Sequence, residues 1–152
     1  MLVVNFNVNT SIASSLAPAE LVEHARQHSR FASQLFDADP SRAFEPWHEP
    51  ISARDLVLDR DFRDESELRA RLRQLRRRVL LRLLVRDLGG LADLPEVITT
   101  MTELAEASIR HAQDWLIRSF LTSYGAPVGA RSGTPQQLHV IAMGKLGGGE
   151  LN

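Results

Sequence analysis

Residues 64–90 read DESELRARLRQLRRRVLLRLLVRDLGG, and their pattern decides the fold class. Leu68, Leu72, Leu75, Val79 and Leu83 recur at intervals of three and four, which lines one face of an α-helix, while eight arginines from Arg69 to Arg86 fill most of the rest. Burying five such side chains contributes roughly 1.5–3 kcal/mol each before chain entropy is subtracted, so this helix is a core element. Gly89 and Gly90 supply a left-handed stop. The arginine face has two readings, a dock for an acidic partner or nucleotide and a solvated face; a charge run on an amphipathic helix is more often the second.

Outward toward the C-terminus, the short GGLA linker (89–92) leads to a third helix that opens at DLPE (93–96). Asp93 can cap it, Pro95 sits in its first turn, and Glu96 is placed to return the bond of a capping box. Ile98, Met101, Leu104, Ala105, Ser108, Ala112, Trp115, Leu116 and Phe120 form its expected buried face, and it closes at SYGAP (123–127). Met101 and Trp115 read as core packing rather than cofactor contacts. Two long helices joined by so short a linker are expected to be antiparallel neighbours.

Outward toward the N-terminus, SRAFEPWHEPISARDLVLDRDF (41–62) holds two closely spaced prolines and no clean period. It reads as a connector with a short turn of helix, in which Trp47 seals the core. Before it, PAELVEHARQHSRFASQLFDADP (18–40) places Leu21, Ala25, His28, Ala32, Leu35 and Phe36 on one stripe, predicting a first amphipathic helix. His24 and His28 stand one turn apart, but HARQH lacks the glutamate of a zinc-protease motif and shows no third ligand. Residues 1–17 show no sustained period and are expected to be a loosely held lead-in.

Past GAPVGARSGTPQQ (125–137) the character changes: LHVIAM (138–143) is a β-type run, and GKLGGGE (144–150) breaks it. The fold expected is therefore mainly α: a helical region over 18–126, followed over 127–152 by a loop and the first strand and glycine turn of a truncated α/β unit. An orphan strand exposes unpaired backbone groups, so the tail after about Pro127 is expected to be mobile or paired with another chain.

The composition narrows the function classes. A chain of 152 residues, 43% hydrophobic, can bury the core of one ordinary domain. Its formal charge of −1 gives no overall footprint for nucleic acid. Having no cysteine, it holds neither disulfide nor thiolate metal site. No apolar run approaches the length that spans a bilayer and the start lacks a basic secretory signal, so a cytoplasmic location is expected. All but one of its 18 basic residues are arginine, and the lone lysine, Lys145, falls inside the closing glycine stretch.

That stretch, VIAMGKLGGGELN (140–152), turns on consecutive glycines, which let backbone amides approach an anion with no side chain between. A P-loop needs a glycine where His139 stands and a serine or threonine where Leu146 follows Lys145. The dinucleotide fingerprint needs glycines at first, third and sixth positions, and Gly144, Gly147, Gly148 and Gly149 are spaced otherwise. Two readings survive: a tight turn at a strand end, and the strand, Gly-Gly turn and helix start with which nucleotidyltransferases hold a triphosphate. Lys145 is placed either to reach that phosphate or to cap the sheet edge.

AMGKLGGGELN (142–152) closely resembles the signature of the bifunctional glutamine synthetase adenylyltransferase and adenylyl-removing family. Upstream, SRFASQLFDADP (29–40), LRQLRRRVLLRLLVRDL (72–88) and LAEASIRHAQDWL (104–116) resemble the family's segments in the same order, so the likeness covers roughly residues 29 to 152. The resemblance implies an enzyme that transfers AMP from ATP to a tyrosine of glutamine synthetase and, in its other half, removes it by phosphorolysis. It implies Mg2+ with ATP, ADP and phosphate as cofactors, and glutamine synthetase and the PII nitrogen-regulatory protein as partners, with neither nucleic acid nor membrane. The initiator methionine and triple glycine resemble the N-terminal, adenylyl-removing half. Gly147 and Gly148 match the family's phosphate-holding pair, with Lys145 beside them. Two departures stand out: Ala142 replaces a commoner glycine, and no aspartate-x-aspartate metal pair follows the turn within these residues. The expectation is an N-terminal fragment that is inactive alone and binds no cofactor itself, offering neither a catalytic nor a metal residue of its own. A rival expectation is a non-catalytic helical module that binds glutamine synthetase or a nitrogen regulator.

Overall fold

A computed structural model describes residues 16–59 and 61–151, so the expected lead-in over 1–17 lies almost wholly outside the described residues. Among them the chain is mainly helical, and no strand is formed. The elements are α1 (Pro18–His28), α2 (Arg30–Ala38), two 3₁₀ turns (Pro40–Phe44 and Ala53–Leu56), α3 (Glu65–Leu88), α4 (Leu94–Tyr124) and a single helical turn, α5 (Gly144–Gly147).

The one helix expected over 18–40 is two. Ser29 adopts extended backbone and its hydroxyl accepts from the Ala32 N–H, so it caps α2 while ending α1. Leu21, Ala25, Ala32 and Phe36 of the expected stripe are buried, whereas the break turns His28 outward. Trp47 seals this cluster as expected, 1% exposed. Its ring meets Phe36 edge-on at 5.9 Å, and its Nε1 donates to the Ala43 carbonyl.

α3 buries Leu68, Leu75, Val79 and Leu83 of its predicted stripe and leaves Leu72 half-buried. The Asp64 carboxylate caps its start, accepting from the Glu67 N–H, and Gly90 with φ 67° turns the chain out of its end. The helix serves two cores. Leu81 and Val85 pack with Leu21, Val22, Ala25, Phe36 and Trp47, while Leu75 and Val79 pack with Leu56, Leu104 and Ala107.

The expected solvated arginine face is corrected at two positions, because Arg82 and Arg86 are buried. With Arg78 they stand at i, i+4 and i+8 and hold the connector to the bundle. Arg78 donates to the Asp55 carbonyl, Arg82 to the carbonyls of Glu49 and Pro50 and to the Asp55 carboxylate, and Arg86 to the Trp47 carbonyl. A connector without its own ladder leaves carbonyls unpaired, and guanidiniums with several donors each satisfy them.

α4 is antiparallel to α3: Glu96 meets Arg86 beside the linker, and Leu104 and Ala107 meet Val79 and Leu75 further along. Asp93 caps α4 by accepting from the Glu96 N–H, but the expected capping box is absent, since the Glu96 carboxylate goes to Arg86 instead. Its buried face is also rotated from the prediction. Thr100, Thr102, Leu104 and Ala107 are deepest, Ile98, Met101, Ala105, Ser108, Ala112, Trp115 and Leu116 are half-buried, and Phe120 is 57% exposed. The 31 residues of α4 outrun the 24 of α3, so its last turns pass beyond the bundle. Trp115 already reaches the start of α3, donating from Nε1 to the Phe62 carbonyl.

Beyond Gly125 the chain makes a tight reversal, bridged at Val128 and Pro135, and runs back along α4. Gln113 of α4 donates to the Leu138 carbonyl, and the Leu151 N–H donates to the Thr102 hydroxyl at 3.3 Å. The strand expected over residues 138–143 does not form, and the glycine corner expected after it is one turn of helix. A strand is completed by a partner's hydrogen bonds, and among the described residues no second strand lies beside it.

Candidate functional site

The glycine stretch occupies the returning tail. Met143 is extended, with φ −130° and ψ 167°, and delivers the chain to α5. Within and after this turn Gly147 N–H donates to Met143, Gly148 to Gly144 at 2.9 Å, Gly149 to Leu146, and Glu150 to Lys145 at 2.7 Å. These four amides are engaged with the turn's own carbonyls in this conformation.

The glycines are not equivalent. Gly144 and Gly149 have φ 61° and 70°, a region that L-residues with side chains avoid. Gly147 is required by contact, since a Cβ there would stand 2.6 Å from the Ala142 carbonyl oxygen, a backbone atom that cannot swing aside. Gly148 has neither constraint: φ is −87°, and a Cβ would meet nothing nearer than 3.5 Å. The turn explains three of the four glycines and leaves Gly148 unexplained.

Of the three predicted site residues, Gly147, Gly148 and Lys145 all fall on or beside α5, so the structure brings them together as the sequence does. Glu150 is the acid carried by the described residues of this stretch. Among the described residues no group of three or more His, Cys, Asp or Glu side chains could hold a metal ion. The rings of His24 and His28 lie with centroids 4.2 Å apart and planes tilted by 38°, and Nδ1 of His28 lies 2.9 Å from the His24 carbonyl, which engages it with backbone. The tail's return to Thr102 had no signal in the sequence, because Thr102 sits in no motif.

The family model for glutamate-ammonia ligase adenylyltransferase matches residues 10–152. The chain belongs to that family. Among curated relatives, the bifunctional glutamine synthetase adenylyltransferase/adenylyl-removing enzyme of Nitrosomonas eutropha is 39% identical over 95% of this chain and 17% of its own length. The same-named protein of Aromatoleum aromaticum is 42% identical over 93% of this chain and 16% of its own. That of Nitrosomonas europaea is 57% identical over 59% of this chain and 10% of its own. The adenylyltransferase-family chain thus spans less than a fifth of the length of these relatives. No solved structure matches it. Among the described residues no helix is long and apolar enough to cross a membrane.

Proposed function

We propose that this chain is part of an enzyme that transfers AMP to glutamine synthetase and removes it again, belonging to the adenylyl-removing half. The observation that carries this reading is the family match from residue 10 to residue 152, reinforced by 39–42% identity to bifunctional relatives over more than nine-tenths of the chain. Glutamine synthetase is then the substrate protein and the PII protein the regulator, in the cytoplasm. Residues 127–152 form the entry to a nucleotidyl-transfer unit, and residues 18–126 the helical region that carries it. Residues 138–143 pair as the first strand of that unit's sheet in the longer protein. The extended backbone of Met143 before α5 and the exposure of Val140, Ile141 and Met143 support this, since apolar, β-branched side chains on an unpaired run are suited to the two faces of a buried strand.

Gly147, Gly148 and Lys145 handle the phosphates of ATP, ADP or free phosphate. Gly148 supports this most directly, because the turn itself does not need a glycine there. Magnesium does not fit the residues present: nucleotidyl transfer needs closely spaced carboxylates to hold it, and the described glycine stretch offers Glu150 alone. Its ligands must come from other parts of the enzyme, so these 152 residues alone are inactive.

The test has two arms, both reading phosphate-dependent release of AMP from adenylylated glutamine synthetase. In the complete enzyme, Gly148→Val should lower the rate tenfold or more without changing helical content. The isolated 152-residue chain should release none above a blank. An undiminished rate in the variant would remove Gly148 from the site, and release by the isolated chain would overturn its dependence on the rest.

A further inference from the structure

Beside Arg78, the first of its connector-holding arginines, α3 borders a cleft that shares no residue with the glycine stretch. Arg71, Gln74, Leu75 and Arg78 face it at helical spacing, Arg42 enters from the first 3₁₀ turn, and Leu58 enters from the connector. The cleft holds about 280 Å³, and no acidic side chain lines it.

Three guanidiniums around one hollow with an aliphatic floor repel one another, and their partners neutralise them only in part. Arg42 Nε lies 3.2 Å from Asp39 Oδ2. Arg71 reaches Glu67 only at 4.0 Å, and Glu67 is held more closely by Arg63 at 3.0 Å. Arg78 donates to the Asp55 carbonyl, while the Asp55 carboxylate faces Arg82. A guanidinium carries five N–H donors in a planar fork, so each of the three retains donors beyond these contacts. Such forks match the oxygen geometry of phosphate, and the Gln74 amide adds a neutral donor.

We propose that this cleft binds the phosphate dianion of a small ligand between Arg42, Arg71 and Arg78. Its volume, below the usual range for drug-sized molecules, limits the occupant to free phosphate or a small phosphate monoester. The aliphatic floor of Leu58 and Leu75 lowers the local dielectric and strengthens the attraction.

The experiment titrates the 152-residue chain with inorganic phosphate and, separately, with glycerol 1-phosphate, at constant ionic strength set by chloride. Nε–Hε signals of the arginines are followed by NMR. Saturable shifts of the Arg42, Arg71 and Arg78 signals are expected; tighter binding of phosphate assigns the cleft to the free ion, and tighter binding of the ester to a phosphometabolite. Arg71→Gln removes a charge that no close ion pair needs, and should weaken binding about tenfold. Gln74→Glu, which brings an acid into the cleft, should weaken it at least as much. Arg77→Gln removes the same charge outside the cleft and should change binding by less than about twofold, since exposed charge is screened. Shifts that never saturate, or equal weakening by Arg77→Gln and Arg71→Gln, would overturn the proposal.

Discussion

Arg86 of α3 grips Glu96 of α4 at two points, Nε to Oε1 at 2.7 Å and Nη2 to Oε2 at 2.9 Å. The same guanidinium donates to the carbonyls of Trp47 and Leu91, so one side chain joins both long helices, the linker and the connector. Arg86 is buried and Glu96 half-buried, so removing the carboxylate strands a buried guanidinium charge, which costs about 3 kcal/mol, the low end for a buried pair. Glu96→Ala should therefore lower the unfolding free energy by about 3 kcal/mol in urea denaturation. A change below about 1 kcal/mol, typical of an exposed pair, would show that the contact does not hold the hairpin.

Trp47 is the largest of the fully buried side chains and fills the space between α1, α2 and the end of α3. Trp47→Ala leaves a cavity and should destabilise by about 3–5 kcal/mol. Trp47→Phe retains most of the apolar bulk while losing the indole bond to the Ala43 carbonyl, and should cost distinctly less. Equal losses for the two variants, measured by thermal unfolding, would mean that the hydrogen bond outweighs the packing.

The helices were legible because a period of three and four survives any packing partner: Leu68, Leu75, Val79 and Leu83 are buried as their spacing requires. Asp93 and Gly90 marked helix ends for the same local reason. Ser29 carried a readable cap signal too, but the apolar stripe running through it made one helix of two. Arg82 and Arg86 were not legible, because what buries them is a set of carbonyls on an aperiodic connector up to 39 residues away. Thr100 took the inner face of α4 with Leu104 and Ala107 because the helix's rotation is set by contact with α3, not by side-chain hydrophobicity alone, while Thr102 lies about 200° round the helix, where its hydroxyl meets the Leu151 N–H of the returning tail. At the candidate site the glycine cluster stood out in sequence. Which glycine the turn itself requires depended on the position of the Ala142 carbonyl, and that is a matter of coordinates.

Asp55 predicts a pH response. Partial burial acts to raise its carboxyl, but the N–H and hydroxyl of Ser52, each 2.8 Å away, together with Arg82 and Arg78, outweigh that and hold it below the ordinary 3.8. A carboxyl lowered in the folded state stabilises the fold above its unfolded value, and that stability is lost as pH falls through the folded value. Stability should thus decline below about pH 3.8, where the unfolded chain takes up the proton first. Asp39 and Glu67, also lowered, act in the same direction. Asp55→Asn should flatten the acid limb of a plot of stability against pH without abolishing it. An unchanged slope would show that Asp55 titrates alike in both states.

Gly147 and Gly148 are neighbours with opposite expectations. A methyl on Gly147 meets the Ala142 carbonyl oxygen at 2.6 Å, a contact that only a backbone shift can relieve, whereas a methyl on Gly148 finds ordinary contact distances. Gly147→Ala should displace the amide resonances of residues 142–150, and that of Leu151 if the turn's retreat breaks its bond to the Thr102 hydroxyl. Gly148→Ala should leave all but its immediate neighbours in place. If the spectra of the two variants differ from the parent by the same small amount, the Gly147 Cα and the Ala142 carbonyl do not approach in solution as they do here, and the structural reason for that glycine is lost.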